Sequence, residues 1–257
     1  MSSKPDPRIA STTLTGGPAD LIGHDLVIVD QFTYKGRQVH VPRPLAGVPE
    51  FVAVAEAEVK ADELRRELMG TLADQGPARW QPDTTLVVEM RAAAESAVVT
   101  AVVGLEAFSN HHVSRLAEAQ GGKVTVGSKQ MKLEKVRELP LDDRYKVVLP
   151  ALLGVPAPGR EKWWQVLRRV QGLAALTRRA VHEPTKRSGL SGRRSLADFY
   201  LGEYQGATRM MFSVFEHYSP GWIGDERLRA IGDMPRSMVE QALEGLAQGA
   251  LSEAASS

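Results

Sequence analysis

The stretch AAAESAVVTAVVGLEAF at residues 92–108 decides the fold that this sequence predicts. Alanine and valine fill almost every turn, so a helix through these residues carries apolar side chains on more than one side and is expected to be buried. Asp83 or Thr84 suits the N-cap of such a helix, and the Gly-Gly pair at 121–122 suits its end. The pattern predicts one long central helix.

Weaker helical patterns flank the central helix on both sides, and no internal repeat or coiled-coil heptad is present. The residues between 123 and 129 are polar and contain glycine, which predicts a loop. Apolar spacing and breaker residues predict helices, the fourth interrupted by a proline, at residues 51–72, 83–118, 133–139, 141–153, 162–181, 196–218 and 227–251.

Two β-rich runs precede the helices. Residues 24–34 are β-branched and aromatic, a short turn follows, and residues 38–41 form a partner run, which predicts a β-hairpin. The fold class is therefore mainly α, a helical bundle with a small N-terminal β-hairpin. Four segments are expected: a flexible arm at 1–20, a hairpin extension at 21–49, the bundle at 50–222, and a C-terminal helix with a disordered tail at 223–257.

Composition excludes several classes of protein. Apolar residues make up 43% and charged residues 25% of the 257 residues, as in globular proteins, and no apolar run approaches a membrane span. The first residues lack a signal-peptide core, so cytoplasmic residence is the expectation. With no cysteine, and with His111 and His112 adjacent on a helix, we predict no metal site and no cofactor. The usual nucleotide-binding and hydrolase motifs are absent.

Positive charge is concentrated between residues 160 and 194. Ten Lys or Arg residues stand there against two acids, a net charge of +8 in a chain whose total is +1. Such a segment can meet a phosphate backbone, and it can also be a solvated helix face followed by a basic loop. The candidate nucleic-acid-binding residues are Arg168, Arg169, Lys186, Arg187, Arg193 and Arg194.

The stretch LTRRAVHEP at residues 176–184 ends the predicted cationic helix. Arg178 and His182 are four residues apart and so lie one turn apart on one face. A permanently charged guanidinium beside an imidazole that titrates near neutrality can handle a phosphodiester. The same pattern also fits an ordinary helix end, with Arg179 beside it as a supporting or structural residue.

A polar pair interrupts the apolar central helix. Glu106 and Asn110 are also four residues apart on one face. Polar groups inside an apolar helix usually find buried partners, and a surface-facing polar stripe is the alternative interpretation.

The order of these motifs over about residues 84–218 resembles the HEPN-like helical proteins of prokaryotes. The shared features are Glu-Ala-Phe-x-Asn at 106–110, a Lys and a Leu-Pro at 135–140, Leu-Pro-x-Leu-x-Gly at 149–154, and a Trp-rich helix ending in basic residues and Val-His at 181–182. The resemblance implies an RNA-associated helical protein of bacterial stress response or defence. It also implies a homodimer and leaves room for a partner protein.

Catalytic members of that group are metal-independent endoribonucleases. The resemblance implies that His182 moves a proton of the ribose 2′-OH and that Arg178 offsets charge on the phosphate. The family spacing, however, places its arginine at least five residues before the histidine, where this chain has Thr177. Two functions therefore stay open: an endoribonuclease, and a non-catalytic dimerisation or interaction module in which His182 is structural.

Overall fold

Helices dominate the chain, as predicted. The computed structural model describes residues 11–13, 25–27, 29–34, 37–42, 45–76, 78–182, 197–224 and 226–233. The side chains of 11–13, 25–27, 29–32, 34, 39–42, 178–182, 197 and 233 lie outside this description. The helices are α1 Val48–Gln75, α2 Thr84–Ala119, α3 Leu133–Arg137, α4 Leu141–Asp143, α5 Leu149–Leu153, α6 Lys162–His182, α7 Ala197–Tyr200, α8 Ala207–Tyr218 and α9 Glu226–Asp233.

The strands form small antiparallel pairs. They are β1 Ser11–Thr13, β2 Asp25–Val27, β3 Val29–Tyr34, β4 Arg37–Pro42, β5 Lys123–Val126 and β6 Lys129–Lys132, paired β1 with β2, β3 with β4 and β5 with β6. The β3–β4 pair, closed where Tyr34 faces Arg37, confirms the predicted N-terminal hairpin. Strand β1 falls within the segment that was expected to be a flexible arm.

The central helix has the predicted bounds and cap. Asp83 accepts a hydrogen bond at 2.7 Å from the backbone N–H of Thr85 at the start of α2. Near the middle of α2, a Cβ on Gly104 would lie 2.7 Å from Glu50 Cβ and 2.6 Å from Met211 Cε. The missing side chain therefore lets α1 and α8 approach α2 closely.

The core lies between α1, α2, α6 and α8. Phe215 of α8 has its ring centroid 6.4 Å from that of Phe51 in α1 and 4.7 Å from that of Phe108 in α2. In α9, Leu228 and Ile231 are buried in the same apolar cluster. The packed bundle thus extends through α9.

A carboxylate from α1 caps the start of α8. Glu58 is buried and accepts hydrogen bonds from the backbone N–H of Gly206, from the backbone N–H of Thr208 at 2.9 Å and from its hydroxyl at 2.7 Å. Helix α8 has no side-chain cap of its own at Gly206. The negative charge also faces the positive end of the helix dipole, which stabilises it.

The same face of α1 holds the segment that leads into α8. Asp62 accepts hydrogen bonds from the Tyr204 hydroxyl at 2.6 Å and from Gln205 Nε2 at 3.0 Å. One turn further, Arg65 Nε donates to the Tyr200 carbonyl at 2.8 Å. We call these contacts, together with those of Glu58, the α1 clamp.

The structure corrects the helix predicted at 196–218. Residues 201–206 form a turn between α7 and α8, with φ of +79° at Gly202 and +84° at Gly206. Left-handed backbone of this kind ends a helix and suits glycine. The clamp then fixes the turn, so two helices replace the single one.

The structure differs from two further predictions. The predicted loop at 123–129 is instead the first part of the β5–β6 hairpin, because Val124 and Val126 alternate with polar residues and Gly127-Ser128 forms a two-residue turn. Pro150 does not interrupt the helical stretch at 141–153. A π-helical turn at Arg144–Val148 precedes α5, and the proline falls in the first turn of α5, where its missing N–H is tolerated.

The α1 clamp predicts the effect of one substitution. Glu58→Ala should lower the free energy of unfolding by roughly 2–3 kcal/mol, because it leaves buried donors at the start of α8 without an acceptor. Urea denaturation followed by circular dichroism measures this. Glu56→Ala, at an exposed site in the same helix, is the matched control and should change stability little. Equal effects of the two substitutions would contradict the capping role.

Candidate nucleic-acid interface

Helix α6 separates an apolar face from a charged one. Its inner face consists of residues three apart, all buried in the core: Trp164, Leu167, Val170 and Leu173. Its outer face carries exposed polar residues at intervening positions. Because the apolar face fixes the rotation of the helix, it also fixes which cations face outward.

Three cations at the start of α6 are exposed. They are Arg160, Lys162 and Arg168, and none of them forms an ion pair with another described residue. Of the candidate nucleic-acid-binding residues, Arg168 is therefore placed where a phosphate group can reach it. Exposed, unpaired guanidinium groups keep their full donor set for such a ligand.

Arg169 is placed differently from its neighbour. Its Nη2 donates to the Gln205 carbonyl at 2.7 Å, and its Nη1 lies 3.5 Å from Glu203 Oε2. The side chain thus ties α6 to the turn before α8, next to the α1 clamp. Its contacts give Arg169 a structural role.

The predicted catalytic pair lies at the far end of α6. The helix continues without a break through His182, so Arg178 and His182 are one turn apart along a continuous helical backbone. The side chains of both, and that of Arg179, lie outside the described residues. So do all atoms of the remaining candidate cations, Lys186, Arg187, Arg193 and Arg194.

Asn110 has the buried partner that was expected. The guanidinium of Arg144 donates from Nη1 to Asn110 Oδ1 at 3.0 Å and to Ser109 Oγ at 3.2 Å. Its Nε donates to the Leu139 carbonyl at 3.0 Å. This buried arginine ties α2 to the helices that follow it, so the contact is structural. Glu106 is half-buried; its carbonyl accepts a hydrogen bond from Ser109 Oγ at 3.0 Å, while its side chain forms none with another described residue.

Arg144 was missed by the sequence analysis. Arg144 is buried, with only 6% of its surface exposed. The charged residues next to it in the sequence gave no sign of this burial. The one usable signal was Asn110 itself, since a buried amide oxygen needs a donor. Nothing in the spacing showed which donor it would be.

The histidine pair on α2 belongs to an aromatic cluster. The rings of His111 and His112 lie 5.0 Å and 4.9 Å from that of Trp222, and His112 also packs 4.5 Å from Phe108. Burial, with smaller contributions from His111 and Arg115, lowers the pKa of His112 from 6.5 to about 4. Within the described part of the chain, no group of three or more possible ligands is arranged to hold a metal ion.

The consecutive tryptophans at the start of α6 divide between core and rim. Trp164 is buried, whereas Trp163 is half-buried with its ring 5.2 Å from that of His217. His217 Nε2 lies 3.0 Å from the Pro156 carbonyl oxygen. This histidine therefore joins α8 to the loop before α6 and has a structural role.

Comparison with known proteins yields no relative: no family model, curated protein or solved structure matches the chain. The HEPN resemblance therefore rests on the motifs and their order alone. Among the described helices, none is both long and apolar enough to cross a membrane.

The buried imidazole of His112 predicts a pH dependence of stability. Its pKa is lower in the folded protein than in the unfolded chain, so the unfolded chain binds more protons between pH 6.5 and 4. The stabilisation is complete above pH 6.5 and is lost as pH falls to 4, by at most roughly 3 kcal/mol. Urea denaturation at several pH values should show this fall, and His112→Phe should reduce it. An unchanged pH profile in the variant would contradict the assignment.

Proposed function

We propose that this protein is an RNA-associated helical protein that contacts the phosphate backbone through the outer face of α6. The observation that carries the proposal is that Lys162 and Arg168 are exposed and free of ion pairs with other described residues. They are six residues apart, about 9 Å along the helix. The sequence adds the cations that follow the helix up to residue 194.

Arg168 and Arg169 are adjacent in sequence but differ in their contacts, which supports a binding role for the first and a structural role for the second. Arg169 is held by the turn before α8, while Arg168 on the adjacent position faces outward. A purely structural role does not account for Arg168 and Lys162, because neither side chain forms an ion pair with another described residue. Binding to a polyanion accounts for them, because phosphate contacts are the main source of sequence-independent affinity for nucleic acids.

We further propose that the protein is a metal-independent endoribonuclease, with His182 and Arg178 as its catalytic residues. The imidazole of His182 takes the proton of the ribose 2′-OH, whose oxygen attacks the adjacent phosphorus. The bond from phosphorus to the 5′-oxygen breaks, and that oxygen takes up a proton. The guanidinium of Arg178 offsets the charge that develops on the phosphate. The continuous helix through both positions supports this pairing.

The second candidate is a non-catalytic interaction module. Two large apolar side chains are exposed on α2, Val88 at 59% and Val103 at 43%. Ala92 and Ser96 between them are also exposed on roughly the same side of the helix. An exposed apolar strip of this kind suits packing against another helix, including one from a second copy of the chain.

RNA binding should distinguish the two neighbouring arginines. Arg168→Gln should weaken binding of a labelled oligouridine RNA several-fold at low salt without changing stability. Arg169→Gln should lower stability by roughly 1–2 kcal/mol, because it removes a donor to the turn before α8. Fluorescence anisotropy and urea denaturation measure the two effects. Arg66→Gln, an exposed arginine on α1, is the control for net charge.

Cleavage separates the two candidate functions. Incubation of RNA with the purified protein in excess chelator should give products, and His182→Ala should abolish them. A protein that binds RNA but never cleaves it would remove the catalytic assignment and keep the association. If the protein binds no RNA and sediments as a dimer, the interaction module is the correct function.

A further inference from the structure

The β5–β6 hairpin has a mainly apolar face, which also carries the exposed Lys129 opposite Val126, and a polar face with two lysines. Directly paired residues lie on the same side of an antiparallel ladder, and the register places Lys123 opposite Lys132 and Thr125 opposite Gln130. All four are exposed. The other side carries Val124, which is fully buried against the core. We call the exposed side the lysine face.

The apolar side anchors the hairpin. Val124 is part of the main apolar cluster, and Val126 and Met131 pack against it. Strand β5 contacts α2, α3 and α5. The lysine face is therefore held on a fixed support, which makes it a preorganised surface.

The lysines of this hairpin are not engaged in ion pairs with other described residues. Lys123, Lys129 and Lys132 are exposed and form no ion pair with another described residue. The acids nearest to the hairpin in the sequence are Glu118, Glu134 and Glu138, and of these Glu138 is engaged with Lys135 at 2.9 Å. The exposed Arg115 adds a further cation at the end of α2.

The directly opposed Lys123 and Lys132 are not explained by folding. Like charges opposite each other on one face of a ladder destabilise it. Neither lysine forms an ion pair with another described residue, so no direct contact of that kind offsets the cost. A bound anion would offset it.

The lysine face lies far along the bundle from the end of α6 that carries Arg178 and His182. Gly104 and Phe108 of α2 pack against Met211 and Phe215 of α8 in the same order, so α2 runs parallel to α8. Helix α6 runs antiparallel to α8. Trp163, near the start of α6, lies beside His217 near the end of α8, whereas Arg169 lies beside Gln205, just before the start of α8. The hairpin follows the end of α2, so it lies towards the same end of the bundle as the start of α6 and towards the opposite end from His182.

We propose that the lysine face of the β5–β6 hairpin is a second phosphate-binding surface for RNA. Lys123 and Lys132 each contact a backbone phosphate, and Thr125 and Gln130 donate hydrogen bonds to phosphate or ribose oxygens between them. The proposal rests on the proposed function for the identity of the ligand. It adds a site that contains none of the residues of α6.

The test uses the full chain and a labelled oligouridine RNA. Lys123→Gln/Lys132→Gln should weaken binding and reduce the slope of log affinity against log salt by about 1.4, since each phosphate contact on a single strand contributes about 0.7. The matched control is Lys60→Gln/Arg66→Gln, two exposed cations of α1 that remove the same charge. It should leave the slope unchanged. Urea denaturation should show the hairpin variant to be as stable as the wild type or more so.

Each outcome decides one point. If the hairpin and control variants change the slope equally, net charge is responsible and the lysine face is not a site. If the hairpin variant binds RNA as the wild type does but self-associates, the lysines protect the strand edges and the proposal is overturned. If the wild type binds no RNA at low salt, the proposed function itself fails. Wild-type binding with an unaffected hairpin variant overturns the second surface alone.

Discussion

The buried carboxylate of Glu58 is the contact on which the arrangement of the bundle depends. It accepts three hydrogen bonds at the start of α8, where the turn from α7 would otherwise leave donors buried and unpaired. Once α8 is fixed, its apolar face meets α1, α2 and α6 together. The turn before α8 in turn holds Arg169 of α6. One acidic side chain thus links the packing of three helices.

This arrangement divides the basic residues into two groups. The first group forms hydrogen bonds within the fold, and each member donates to a backbone carbonyl: Arg65, Arg144 and Arg169. Arg168 and the hairpin lysines are exposed, and none of them forms such a contact with another described residue. We expect substitution in the first group to lower stability, and we propose that the second group acts through a bound ligand. Local charge density alone does not separate the groups, since Arg168 and Arg169 are adjacent in sequence.

Much of the fold could be predicted because its signals are local. The apolar run at 92–108 and the cap at Asp83 gave the central helix and its start. The α1 clamp could not be predicted, since Glu58 and Thr208 are 150 residues apart and no pattern pairs them. The β5–β6 hairpin was missed because its strands are only four residues each. For the candidate site, the sequence indicated Arg168 but could not separate it from its structural neighbour.

The salt dependence of RNA affinity is the sharpest test of the proposed association through exposed cations. We expect the wild-type chain to bind an oligouridine RNA at low salt. Its log affinity should fall linearly as log salt rises, with a slope that corresponds to several phosphate contacts. Absence of binding at low salt, or an affinity that does not change with salt, would contradict the account.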